Sequence, residues 1–246
     1  MKKKILLGLG ASLLMTSGLN AQIFGSLHDL GTSADDVGNI PDNSQICVYC
    51  HTPHGADSSF DGAPLWNKPA TSTTFTMYGA TATGTAGSTI AGTLTDATPT
   101  GASMACLTCH DGVSALNSVI NAPGTGNYDP TGASNKIGKN RTMTDFVKAV
   151  GSAAFSESLT NDHPISIPYI YNGSPETSPA SLRDPSTPII GFENATTIAD
   201  LLRTGADGIA KVQCSSCHDP HLGQATTFLR SINNNGSKLC LTCHAK

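Results

Sequence analysis

Eight cysteines fall without remainder into four copies of one five-residue frame: Cys47-Val-Tyr-Cys50-His51, Cys106-Leu-Thr-Cys109-His110, Cys214-Ser-Ser-Cys217-His218 and Cys240-Leu-Thr-Cys243-His244. C-x-x-C-H reads as the attachment site of a c-type haem. The spacing has a physical reason, because residues three and four apart share a face of a helical turn. Two thiols so placed add to the two vinyl groups of one porphyrin, and the next residue brings an imidazole under the iron. Three other readings account for less of the pattern. Zinc sites use paired C-x-x-C units but do not require a histidine directly after each. A disulfide framework imposes no common frame, and a thioredoxin-like redox pair needs a βαβ setting that this sequence lacks. The frames therefore predict four haems c, held through Cys47, Cys50, Cys106, Cys109, Cys214, Cys217, Cys240 and Cys243.

The chain has eight histidines, of which His51, His110, His218 and His244 sit inside the frames as proximal iron ligands. The remaining four, His28, His54, His163 and His221, equal the number of vacant sixth positions, so bis-histidine ligation is expected at every iron. Methionine ligation would raise the potential; Met77, Met104 and Met143 are read instead as packing residues. His54 and His221 follow their own proximal histidines by three residues, in CHTPH and CHDPH, with Pro53 and Pro220 stiffening the turn. So close a histidine does not reach the far face of its own porphyrin, and each is expected to ligate a neighbouring haem.

The order of elements repeats: His28, CVYCHTPH and CLTCH, then His163, CSSCHDPH and CLTCH. This reads as a duplicated dihaem module, 22–140 and 141–246, within one tetrahaem domain, 22–246. Residues 1–21 carry three lysines before an apolar run from Ile5 to Met15 and read as a signal peptide, cut after Ala21. Removing them leaves eighteen acidic against eleven basic residues, a formal charge of -7, which argues against nucleic acid as a partner. No later segment is apolar for long enough to be a transmembrane helix.

Charged residues make up 13% of the chain and aromatics 5%, with long stretches of Gly, Ala, Ser, Thr, Asn and Pro, so ordinary side chains supply only a thin core. The expected fold class is a multihaem cytochrome c, coil-rich with short α-helices and little β, organised around four covalently bound haems. Short helices are expected at Met104 to His110, Ser114 to Ile120, Thr144 to Val150, Thr196 to Arg203 and Lys238 to Ala245. Pro69 to Thr100 reads as loops with a short hairpin, and Asn121 to Asn140 and Asn172 to Pro188 as turn-rich linkers. Four N-x-S/T sequons, at Asn140, Asn172, Asn194 and Asn235, are read as chance occurrences.

With these residues in view, the sequence resembles the secreted multihaem cytochromes with doubled C-x-x-C-H motifs, in particular outer-surface tetrahaem filament cytochromes of the OmcE type. The likeness is carried by SLHDLG around His28, CVYCHTPHG from Cys47, APLWN ending at Asn67, CLTCHDG from Cys106, NDHPIS around His163, CSSCHDPH from Cys214, and FLR before the last frame. It implies an extracellular filament, a head-to-tail homopolymer with a continuous haem chain, in which a histidine of one subunit ligates a haem of the next. That needs a heterologous interface that does not close into a ring. His28, 19 residues before the first cysteine, is the candidate for the donated ligand, with ligation inside its own chain as the alternative.

The expected function is electron transfer, as a nanowire subunit delivering electrons to extracellular acceptors, with redox donor and acceptor proteins as further partners. The alternative within that class is a soluble monomeric periplasmic shuttle. A multihaem nitrite or hydroxylamine reductase is a different class; it needs an open coordination position, and here every iron has a candidate sixth ligand. No catalytic residue is assigned.

Overall fold

The computed structural model describes residues 23–24, 26–31, 45–123, 128–135, 137, 157–222, 228–231 and 236–245. The expected signal peptide 1–21, its expected cleavage point and the expected helix Thr144 to Val150 lie outside them, as do Met143, Asn140 and Asn235. Among the described residues the chain is mostly coil, with few helices and little strand, as expected. Helix α1 (Gly101–His110) carries the second frame, α2 (Cys214–Cys217) the third and α3 (Lys238–Cys243) the fourth, while a 3-10 turn over Ile46–Tyr49 carries the first. Strands β1 (Ile167–Pro168), β2 (Arg203–Thr204) and β3 (Ala210–Val212) form an antiparallel sheet in the order β1-β3-β2, with Ile167 opposite Val212 and Arg203 opposite Lys211.

Helix α1 forms where predicted, starting three residues earlier than Met104. It stops where Gly112, at φ +80°, takes the left-handed conformation that ends helices. Ser114 to Ile120 is not a helix. Its backbone donors are taken from outside: Asp111 Oδ1 accepts from the N–H groups of Val113 and Ser114, Asn135 O from Val119 and Asn67 O from Ile120. Thr196 to Arg203 is also corrected. Asp200 Oδ2 accepts from the backbone and hydroxyl of both Thr196 and Thr197, which winds Ile198–Leu201 into a 3-10 turn, and Arg203 then enters β2. Within Pro69 to Thr100 the backbone is loop with two reversals, one in which Gly84 N–H donates to Phe75 O at 2.8 Å and a short hairpin in which Thr89 N–H donates to Thr93 O at 2.9 Å.

Apolar burial is divided among small clusters. Leu30, Tyr49, Leu116, Val119 and Ile137 pack with Cys50 and Cys109; Phe75, Met77, Leu107 and Leu159 form a second cluster. Tyr169, Ile198 and Leu202 pack with Cys243, and Phe192, Ala195 and Leu201 form a fourth. Met77 is fully buried, as its packing role requires. No cluster is large, and two of them abut cysteines of the frames.

Between these clusters, buried polar groups tie the frames together. Ser103 Oγ on α1 donates to Gln213 Oε1 and accepts from Cys214 N–H at 2.9 Å, so α1 and α2 are clasped at the start of the third frame. Lys211 on β3 bonds Asp96 at 2.8 Å and Asp207 at 2.6 Å, which fixes the end of the Thr-rich loop against the sheet. Among the described residues no helix is long and apolar enough to cross a membrane.

Candidate haem attachment and axial-ligand sites

Each frame is wound so that its chemistry faces one way. The His51 N–H donates to Cys47 O at 2.9 Å, His218 to Cys214 O at 3.0 Å and His244 to Cys240 O at 3.0 Å, while the second frame lies wholly within α1. One helical turn thus sets first cysteine, second cysteine and histidine on a common side. In the third and fourth frames the turn ends at the histidine, which is extended, and in the first and third Pro53 and Pro220 keep the next residue from resuming helical geometry.

Three of the four proximal histidines are gripped by a matching three-residue bracket that the sequence did not disclose. Leu65 O accepts from Thr52 N–H and Asn67 N–H donates to Cys50 O, at 2.9 and 2.8 Å. Phe228 O with Asp219 and Arg230 N–H with Cys217 O repeat this around His218, and Ser181 O with Ala245 and Arg183 N–H with Cys243 O repeat it around His244. The first bracket residue is left-handed each time, with φ +56° at Leu65, +55° at Phe228 and +53° at Ser181. The carbonyl before it is brought to the imidazole: Pro64 O lies 2.8 Å from His51 Nδ1, and Ala180 O lies 2.8 Å from His244 Nδ1. A carbonyl oxygen accepts only, so Nδ1 carries the proton and Nε2 keeps its lone pair, the arrangement of a metal-binding histidine. The second frame is followed by a buried carboxylate. Asp111, fully buried directly after His110, accepts from Thr71, Thr73, Val113 and Ser114, and these bonds hold its carboxyl below the usual range against the opposing effect of burial.

The spare histidines are distributed among the frames. His28 lies with its ring centre 6.0 Å from that of His110, His221 6.0 Å from His51, and His163 6.4 Å from His244. His54 is exposed beside the first frame. Burial pushes His28 and His110 each down to about 4, so both imidazoles are neutral and able to ligate. His163 Nδ1 bonds Pro164 O at 3.0 Å and His221 Nδ1 bonds Asp219 Oδ1 at 3.2 Å, which again leaves Nε2 available. The buried Nδ1 of His28 has no hydrogen-bond partner among the described residues, and the ring stacks on Phe228 at 4.3 Å. The candidate donated ligand is therefore packed inside its own chain, against the second frame.

The frames also adjoin one another. Burial raises the Cys50 thiol to about 12, with Cys109 close enough to add to the effect. Cys106 and Cys214 are hydrogen-bonded, which raises the first and lowers the second to about 7. Burial raises Cys217 to about 11, reinforced by Cys243 and Cys240. Attachment points one to four thus follow one another in space.

Residues 208–246, holding the third and fourth frames, match the family described as doubled CXXCH motif. The match supports a multihaem c-type cytochrome. No curated protein matches the chain. The donor set fits haem c: paired thiols on one helical turn, a histidine directly after them, Nδ1 of His51 and His244 bound to a carbonyl so that Nε2 is the ligating nitrogen, and a second imidazole 6.0–6.4 Å away in three cases. Covalent haem c binding follows from the frames, and the doubled motif points to an electron-transfer role.

Proposed function

We propose that this protein transfers electrons through four bis-histidine c-type haems as a subunit of an extracellular cytochrome filament, exported by the segment 1–21 and delivering electrons to acceptors outside the cell. When bound, the haem c groups supply irons that take up and release one electron each and pass it to a neighbour. The chain's residues do the rest. The eight cysteines would fix position, the brackets at Leu65 and Ser181 would orient the imidazoles of His51 and His244 through Pro64 O and Ala180 O, and a second histidine would close each sixth coordination position. The observation that carries the reading is the succession of neighbouring frames, Cys50 by Cys109, Cys106 against Cys214, and Cys217 by Cys243. An unbroken row of attachment points is what conduction requires and what a single catalytic centre does not. The duplicated-module reading is supported by the brackets that follow the first frame of each half at 64–67 and 228–230, while the bracket at 181–183 on the fourth frame has no counterpart on the second.

Cryo-electron microscopy of material sheared from the cell surface tests the filament directly. Helical polymers with a continuous haem row are expected. Discrete particles with every iron saturated inside one chain would contradict the filament and leave a soluble shuttle.

A further inference from the structure

We infer, building on that haem reading, that the irons are ligated in fixed pairs: His51 with His221, His110 with His28, His244 with His163, and His218 with His54. A metal–imidazole bond of about 2.0 Å, with the ring centre about 1.2 Å behind the nitrogen, puts two trans rings about 6.4 Å apart. The three close pairs lie at 6.0, 6.0 and 6.4 Å. Aromatic pairs that share no metal lie both nearer, His28 with Phe228 at 4.3 Å, and in the same range, His51 with Trp66 at 5.8 Å and Phe60 with Trp66 at 6.4 Å, so the assignment rests on the partners' chemistry as well as on distance. Trans imidazoles turn about their shared axis, so interplanar angles of 20°, 90° and 56° all suit one iron. Each of the three pairs joins a frame histidine to a spare one; none joins two of a kind.

The pairs also follow one rule. His28 and His163, upstream in their halves, each serve the second frame of the same half. His221, just after the first frame of the second half, serves the first frame of the other half. The same exchange takes His54 to His218, the two histidines that remain and both exposed. The His51–His221 pair then staples the two halves together.

A cryo-electron microscopy or crystal structure of the haem-loaded protein, purified from the medium, reads each ligand. The expected result is His221 Nε2 on the iron held by His51, His28 on that of His110, His163 on that of His244, and His54 on that of His218, whether from the same copy or the next. Four bis-histidine haems with any other assignment would overturn the pairing alone; chains lacking haem would overturn the reading beneath it. A spectroscopic variant gives an independent answer. His221→Met should produce one histidine–methionine haem, seen as its far-red charge-transfer band. The band should vanish when Cys47→Ser and Cys50→Ser are added and persist with Cys214→Ser and Cys217→Ser; the reverse would overturn the assignment.

Discussion

Leu65, Ser181 and Phe228 show how much of the site depends on backbone rather than side chain. Each holds positive φ so that one peptide reaches the frame and the next turns away, and side chains are strained there. Leu65 is more than half exposed, so its side chain contributes little to packing. Leu65→Val should lower the stability of the haem-loaded protein by about 1–2 kcal/mol, because branching at Cβ opposes the left-handed region, while Leu65→Asn should be near neutral. Guanidinium unfolding distinguishes the two, and equal losses would show that the side chain matters instead. Asn67 is fully buried, donates to Val48 O and Asn121 O, and accepts from Asn121 N–H. Asn67→Ala should cost about 2–3 kcal/mol by orphaning those groups. At this scale the frames were legible because covalent chemistry fixes their spacing. The brackets were not, since any residue supplies the carbonyl and N–H they use, and the histidine pairs were not, since they are set by contacts between segments far apart in sequence.

At the scale of elements, α1 and α3 were legible because cysteine frames demand a helical turn. The 114–120 segment misled because its apolar pattern resembles a helix while Asp111, Asn67 and Asn135 capture the backbone. The small sheet was not foreseen: strands of two or three residues carry no alternating pattern, and this one is held by Lys211. That ammonium is buried and bonded to Asp96 and Asp207, which together raise its pKa against the cost of burial. A raised native pKa gives stabilisation that is complete below about 10.5, the ordinary lysine value, and lost as pH rises through the native value. Lys211→Met should therefore abolish part of the alkaline loss of stability and cost about 1–2 kcal/mol at neutral pH, less than a wholly buried pair because Asp207 is exposed. Thermal unfolding at neutral and alkaline pH checks both. A variant whose stability falls as steeply with alkali as the parent would remove Lys211 as the titrating group.

At the scale of the whole molecule, apolar burial among the described residues comes in four small clusters, two of them against frame cysteines. The thin core was legible in the composition, and the covalent haems are its natural complement. A chain with all eight cysteines changed to serine should show no cooperative thermal transition by circular dichroism, whereas the haem-loaded protein should show one; a cooperative transition without haem would mean that the clusters suffice. The central claim is that every iron is closed by two histidines and serves transfer rather than catalysis. The most direct measurement is a spin-quantified electron paramagnetic resonance spectrum of the oxidised protein purified from the medium. The account predicts four low-spin irons per chain and no high-spin signal; a high-spin iron would reveal an open coordination position and contradict it.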